Sequence, residues 1–298
     1  MMTIIGGFLM ALADSVPGVS GGTIAFILGF YDEFINSISL LLKGTKDEKK
    51  TALKFLVKVG IGWAVGMVLA VLVISAVFND HIYLISSLFV GFIIAAIPLI
   101  IMEEKSTVKG KYIHIIFTII GIALVVGITL LNSNINKNDG GEFKLTVGSG
   151  IYLFVCGMVA ICAMVLPGIS GSTMLLIFGV YSTVIDAVKG VLSLDLKALP
   201  ICIIFGLGVI TGVVSIIGIL KKALEKFRSQ TIYLVIGLMI GSLFAIFKGP
   251  ETLKVPQPMM TFKTFSIVFF IIGAAIIVGL QFLKVFTEKR NKKAIASK

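Results

Sequence analysis

The feature that most constrains this chain is a series of six apolar runs, each long enough to cross a lipid bilayer. A helix needs roughly 20 apolar residues to span the hydrocarbon core. Charged residues make up 14% of the chain and hydrophobic residues 57%, whereas soluble domains have about 25% charged residues. This excludes a soluble enzyme, a secreted disulfide scaffold and a DNA-binding domain, and we predict an all-α polytopic membrane protein. The runs lie at about 56–78, 82–102, 112–131, 198–220, 231–247 and 264–283.

The net charge of +11 would suggest nucleic acid in a soluble protein. Here the lysines lie in short links between apolar runs, as Lys43, Lys46 and Lys49 do. The charge therefore indicates orientation in the bilayer and attraction to anionic lipid, and no nucleic-acid partner is expected. His81 and His114 have no second histidine or carboxylate at ligand spacing, so we expect no metal and no cofactor. The oligomeric state stays open.

An internal repeat relates the two halves of the chain at an offset of 150 residues. Residues 13–31 read ADSVPGVSGGTIAFILGFY and residues 163–181 read AMVLPGISGSTMLLIFGVY, with nine of nineteen positions identical. In both segments a Pro-Gly-x-Ser-Gly turn interrupts an apolar helix pattern. Each half is therefore predicted to be a broken helix hairpin followed by three spanning helices.

The distribution of positive charge separates two possible arrangements of the broken segments. If both are re-entrant hairpins, the second repeat is inverted. One face then receives links 43–58, 103–112 and 221–230 and the tail from Lys284, and the other receives links 79–81, 132–150, 186–200 and 248–263. The two faces then carry 19 and 7 Lys and Arg. If both segments cross the membrane, the division is 14 against 12. Because cytoplasmic links carry the excess of positive charge, we predict two inverted repeats with both termini in the cytoplasm.

The predicted organisation has four parts. Repeat 1 covers 1–132, with a re-entrant hairpin at 3–42 and the first three spans. An extracytoplasmic linker covers 133–149. Repeat 2 covers 150–284, with its hairpin at 151–193 and the last three spans, and a basic cytoplasmic tail follows at 285–298. Inverted repeats with helices broken at the midplane are typical of secondary transporters.

The two turns have the composition of an anion-binding site. Each starts a helix whose first N–H groups are unpaired and carry partial positive charge toward the midplane. Glycine lets an anion approach closely, hydroxyls add donors, and proline prevents a continuous helix. The alternative is a pair of structural kinks with small residues for helix packing. The residues assigned to substrate binding are Pro17, Gly18, Ser20, Gly21, Gly22, Thr23, Pro167, Gly168, Ser170, Gly171, Ser172 and Thr173.

Two acidic residues are candidates for coupling or gating. Asp14 ends the first half-helix, and a carboxylate at membrane depth is functional by default, so it is a candidate proton carrier. It could equally be bonded to turn amides and stabilise the loop. Asp32 and Glu33 follow the first hairpin and are assigned a structural or gating role.

The paired motifs ADxxPGVSGGTIAFILGxY and MxLPGISGSTxLLxxGxY resemble those of polyprenyl-phosphate (undecaprenyl phosphate) translocases of the PopT type. The resemblance covers essentially the whole chain. It implies a multi-pass protein of the bacterial plasma membrane that returns undecaprenyl phosphate from the outer to the inner leaflet for peptidoglycan and other envelope polymers. It also implies that Asp14 and the turn residues already assigned to binding belong to the family motifs.

Two other functions stay open from the residues alone. The same scaffold could transport a small soluble anion or an amino acid. A membrane enzyme such as a lipid phosphatase is disfavoured, because that chemistry usually needs a nucleophile or histidine among basic residues. An amphiphile suits the site better than a small dianion, since its tail can remain in lipid while only its head group is desolvated.

Overall fold

A computed structural model describes residues 2–14, 20–69, 75–135, 145–194, 196–252 and 256–296. These residues form helices and connecting turns, with no strand among them. The predicted all-α membrane architecture is confirmed. The helices are α1 Met2–Asp14, α2 Gly21–Ile27, α3 Tyr31–Lys43, α4 Lys46–Leu69, α5 Ser75–Glu103, α6 Lys105–Val108, α7 Ile115–Ile135, α8 Val147–Val165, α9 Gly171–Ile177, α10 Tyr181–Leu192, α11 Leu199–Lys226, α12 Arg228–Lys248 and α13 Ile267–Ala296.

Glycines allow the first helix of each repeat to pack closely against the first predicted span that follows it. A Cβ added to Gly62 in α4 would overlap the carbonyl oxygen of Ile4 in α1. A Cβ added to Gly208 in α11 would overlap the carbonyl oxygen of Phe154 in α8. Small residues allow this approach, and in lipid, close packing rather than a hydrophobic force holds helices together. Corresponding helices of the two sequence repeats therefore make corresponding contacts.

The last span of each half packs on the other half. Helix α7 lies against α12, where a Cβ on Gly237 would overlap the Thr118 carbonyl oxygen. Helix α13 lies against α5, where a Cβ on Gly91 would overlap the Phe270 carbonyl oxygen. The halves are thus interlocked rather than side by side.

Each end of the bundle is held by contacts between links that are distant in sequence. At one end Arg228 pairs with Glu104, and the Tyr233 hydroxyl donates to the Val108 carbonyl at 3.3 Å. At the other end the Tyr83 hydroxyl donates to the Pro258 carbonyl at 2.8 Å. Links 103–112 and 221–230 therefore share one end of the bundle, and the start of the second span shares the other end with link 248–263.

Five predicted spans coincide with helices that are long and apolar enough to cross a membrane, at 46–69, 81–103, 112–130, 199–226 and 228–251. Two assignments differ. The sixth such helix is α8, predicted as half of a hairpin, and the apolar part of α13, Ile267–Phe282, is shorter than a full span.

Helix α4 begins at Lys46 rather than at residue 56, because Glu48 accepts the Thr45 amide at 2.8 Å and caps an exposed polar first turn. Hydropathy cannot reveal such a turn. Residues 70–74 of the predicted first span lie outside the described residues.

The glycine contact between α1 and α4 gives a first prediction. Gly62→Ala forces two backbones apart, and overpacking of this kind costs roughly 1–3 kcal/mol, so the variant should unfold at a lower temperature in detergent. Gly60→Ala is the matched control, because a Cβ there meets nothing within 4 Å. Equal melting temperatures for the two variants would contradict the packing.

Candidate functional site

The turn of the second hairpin lies at the middle of the bundle. Helix α8 ends at Val165, and Pro167 and Gly168 follow as buried, non-helical backbone. Gly168 has φ +91°, and a Cβ there would lie 2.6 Å from the carbonyl of Leu238. Leu238 is the midpoint of α12, so the turn lies at mid-depth. Only glycine fits this position, since the left-handed backbone and the close approach both exclude a side chain.

The first hairpin reaches the same depth. Helix α1 ends at Asp14, and α2 begins at Gly21 with Ser20 as its N-cap. The Ser20 hydroxyl accepts the Thr23 amide at 3.3 Å, which satisfies one of the helix's initial donors. Every residue of α2 is buried. The predicted binding residues Pro17 and Gly18 fall within 15–19, outside the described residues.

The two turns are in direct contact. The Gly168 amide donates to Thr23 Oγ1 at 2.7 Å, and the Ser20 hydroxyl donates to the Leu166 carbonyl at 3.3 Å. The Tyr31 hydroxyl donates to the Val165 carbonyl at 2.9 Å. We call this meeting of residues 20–23 with residues 165–170 the crossing. The two helix interruptions found in the sequence therefore lie next to each other in the fold.

Asp14 lies directly in front of α2. Its Oδ1 accepts the Gly21 amide at 2.7 Å, and its Oδ2 accepts the Trp63 indole N–H at 3.0 Å. A Cβ on Gly21 would lie 2.7 Å from Oδ2, so glycine is needed here for the carboxylate to approach. The chain thus places its own carboxylate where we expected an external anion. Bonding of Asp14 to a turn amide, one of the two open alternatives, is present.

The start of α9 has different surroundings. Met164 takes the position of Asp14 in the second repeat, and a Cβ added to Gly171 would lie 3.2 Å from the Cβ of Met164. The thioether side chain offers no charge to the helix start. Ser170 is buried and its carbonyl accepts the Met174 amide at 3.3 Å. The two turns are therefore alike in backbone but differ in charge.

A charged cluster flanks the crossing on the α2–α3 side. Arg228 donates through Nη1 to Asp32 Oδ2 at 2.7 Å and through Nε to Glu104 Oε2 at 3.0 Å, and its Nη2 also bonds Glu104. Sequence analysis placed Arg228 in a basic link and assigned it no site. Its one signal was rarity, since the chain has two arginines. Glu33 is exposed in the first turn of α3, beside the paired Asp32.

Most predicted binding residues are brought together. Ser20, Gly21, Gly22 and Thr23 line one side of the crossing, and a Cβ on Gly22 would lie 2.8 Å from the Val165 carbonyl oxygen. The other side is formed by buried Pro167, Gly168, Ser170 and Gly171. Thr173 is half-buried, and only the backbone of Ser172 is described. Among the described residues, no group of three or more His, Cys, Asp or Glu is arranged to hold a metal ion.

Comparison with known proteins identifies the family. Residues 10–264 match the family model described as VCA0040-like, undecaprenyl phosphate translocase-like. The chain belongs to this family. A polyprenyl-phosphate transporter of Staphylococcus aureus (strain NCTC 8325 / PS 47) is 39% identical over 279 residues, covering 91% of this chain and 93% of that protein. A polyprenyl-phosphate transporter of Vibrio cholerae serotype O1 (strain ATCC 39315 / El Tor Inaba N16961) is 34% identical over 264 residues, covering 85% and 80%. No solved structure matches the chain.

The bond between the two turns gives a second prediction. Thr23→Val leaves the buried Gly168 amide without its acceptor, and an unsatisfied buried donor costs about 1–3 kcal/mol. We expect a lower melting temperature in detergent and slower transport. Thr23→Ser keeps the hydroxyl and is the control. If the valine variant matched the serine variant in both measurements, the bond would have no role in holding the crossing.

Proposed function

We propose that this multi-pass membrane protein translocates undecaprenyl phosphate, or a closely related polyprenyl phosphate, across the bacterial plasma membrane. It returns the carrier lipid from the outer to the inner leaflet, for peptidoglycan and other envelope polymers. Family membership and the names of the relatives support this proposal. The structural observation that carries it is the crossing, where two broken hairpins meet at mid-depth. Non-helical backbone at that depth is tolerated only in a protein interior or beside a wet cavity.

The proposal includes inverted repeats at 1–132 and 150–284 with cytoplasmic termini. Contacts between links support it. The Glu104–Arg228 pair joins links 103–112 and 221–230, which lie on the same face in the inverted arrangement and on opposite faces in the parallel one. A bilayer core about 30 Å thick would prevent that pair if the repeats ran parallel. The same reasoning applies to the bond between Tyr83 and Pro258.

The phosphate head group is proposed to bind at the crossing while the polyprenyl tail stays in lipid. Backbone amides and the hydroxyls of Ser20, Thr23 and Ser170 supply donors. Several of these groups are bonded to each other across the crossing, so the hairpins must part to admit a phosphate. Parting toward one leaflet and then the other is alternating access, with the interlocked long helices as the frame.

We propose that the charge of Asp14 controls whether the phosphate can bind at the start of α2. Its carboxylate already occupies the start of α2 through the Gly21 amide. A phosphate at the same place would be repelled at close range. Protonation or displacement of Asp14 is therefore a condition for phosphate binding on that side. Glu33, exposed on α3, retains a proposed gating role.

The test of the function is translocation in proteoliposomes that contain undecaprenyl phosphate. An impermeant phosphatase measures how much of the undecaprenyl phosphate is in the outer leaflet. Vesicles with the protein are compared with vesicles without it. The wild-type protein should make the inner-leaflet pool accessible to the phosphatase. Uptake of a labelled soluble anion that is competed by short water-soluble phosphates but not by the lipid would indicate a soluble-anion transporter instead. Absence of both activities would overturn the proposal.

A third prediction concerns the second turn. The pair Ser170→Leu and Gly171→Leu fills the crossing with apolar bulk, and translocation should fall at least tenfold. The nearest atoms to a new Cβ at Gly171 are the Met164 Cβ at 3.2 Å and the Ala160 carbonyl oxygen at 3.4 Å, so size-exclusion chromatography must verify that the variant folds. Gly206→Leu is the control, since a Cβ there meets nothing within 4 Å. Full activity of the double variant with normal elution in size exclusion would exclude this site.

A fourth prediction concerns Asp14. Asp14→Asn carries no charge at any pH, and its single carbonyl oxygen accepts only one of the two N–H groups, from Gly21 and Trp63, that the Asp14 carboxylate accepts. If Asp14 carries the coupling proton, a pH difference across the vesicle membrane should change the wild-type rate and leave the variant rate unchanged. A variant that responds to the pH difference as the wild type does would remove Asp14 from the coupling mechanism.

A further inference from the structure

Arg228 is held between two carboxylates from different helices. It bonds Asp32 at the start of α3 and Glu104 just after α5, while Arg228 itself begins α12. Both carboxylates lie far from it in sequence. Burial by itself raises the pKa of the Glu104 carboxyl, but the hydrogen bonds and charge of Arg228 and a hydrogen bond from Thr107 hold that pKa below its ordinary value. Glu104 is therefore ionised at neutral pH.

The cluster lines a cavity next to the crossing, and we call this cavity one mouth of the crossing. Arg228, Asp32 and Glu104 line a cavity of about 70 Å³ together with Phe26 and Tyr31. Tyr31 connects this cavity to the crossing, because its side chain lines the cavity and its hydroxyl donates to the Val165 carbonyl. Among the residues that line this cavity, Arg228 is the one cation. A phosphate that moves between the crossing and this end of the bundle passes its guanidinium.

Residues of the first hairpin beside this mouth are more buried than the matched residues of the second hairpin. Thr23 and Tyr31 are 1% and 3% exposed. Their repeat counterparts, Thr173 and Tyr181, are half-buried. Three carboxylate residues, Asp32, Glu103 and Glu104, line the cavity together with Arg228. The negative charge around the cavity therefore exceeds the single positive charge of Arg228. The mouth as it stands repels a phosphate.

We propose that Arg228 is a phosphate-binding residue that exchanges its two carboxylates for the lipid phosphate when this mouth opens. The inference rests on the proposed function. Arginine suits such an exchange because its planar fork binds carboxylate and phosphate in the same bidentate geometry. An arriving phosphate repels Asp32 and Glu104, so binding of substrate and separation of α3 from α5 and α12 favour each other.

The device is one-sided in sequence. At the repeat offset of 150, Ser182 corresponds to Asp32 and Phe78 corresponds to Arg228. The other mouth therefore lacks this pair of charged residues at the matched positions. The two leaflets thus meet different chemistry, and the guanidinium serves the mouth that lies on the face rich in Lys and Arg.

Four variants separate a phosphate ligand from a structural clamp. The double variant Asp32→Asn/Glu104→Gln breaks both ion pairs but keeps the guanidinium. The triple variant Asp32→Asn/Glu104→Gln/Arg228→Gln breaks the same pairs and also removes the guanidinium, and it leaves neither carboxylate charged and unpaired. Arg228→Lys keeps the charge without the fork. Lys248→Gln is the control, because it breaks the Lys248–Glu251 pair of 3.4 Å at the other end of the bundle.

Translocation in the proteoliposome assay should be at least tenfold slower for the triple variant than for Asp32→Asn/Glu104→Gln, with Arg228→Lys between them and Lys248→Gln unchanged. Melting temperatures in detergent verify that the compared proteins are folded. Equal rates for Asp32→Asn/Glu104→Gln and the triple variant would overturn the proposal, because both ion pairs of the clamp are absent from both variants.

Binding in detergent supplies a readout that a clamp would not affect. A short-chain polyprenyl phosphate, inorganic phosphate and the uncharged polyprenol are compared on the same folded variants. Loss of Arg228 should weaken binding of the lipid phosphate at least tenfold and leave the polyprenol unchanged. Weakened binding of inorganic phosphate alone would indicate a free-anion site, and unchanged binding of both phosphates would overturn the role of Arg228. Wild-type protein that binds phosphate through Arg228 but does not translocate lipid would refute the transport function alone.

Discussion

The structure depends on satisfying backbone polar groups where helices break inside a membrane. Water and lipid offer no partner there, so each interrupted hairpin must find donors and acceptors within the protein. The two turns meet this need with each other. The Gly168 amide is bonded to Thr23, and the carbonyls of Val165 and Leu166 accept hydroxyls of the first hairpin. A broken helix in one repeat is stable because the other repeat is broken at the same depth.

Packing of the long helices provides the frame for this contact. Glycines bring α1 to α4 and α8 to α11 at backbone distance, and α7 and α13 each pack on the opposite half. Such pairs gain their stability from close van der Waals contact, since lipid provides no hydrophobic force between helices. The short helices α2 and α9 take no part in these glycine contacts. In the proposed alternating access they are the elements that move while the frame stays in place.

Charge inside the bundle is balanced by the chain itself. Asp14 accepts an amide at the start of α2, and Arg228 is matched by Asp32 and Glu104. In the proposed mechanism, both arrangements place a carboxylate at a position that the phosphate takes when it binds or passes. These contacts leave neither charge without a partner, and an unpaired buried charge would be costly.

The sequence by itself determined the membrane class, the repeat, the positions of the turns and five of the spans, because hydropathy and glycine or proline punctuation report local environment. Tertiary structure decided what those elements touch. It extended α4 through a polar first turn, set Asp14 against Gly21, and paired Arg228 with Glu104 across 124 positions of sequence. Pairing of this kind depends on how interlocked helices are packed, and a one-dimensional pattern contains no measure of that distance.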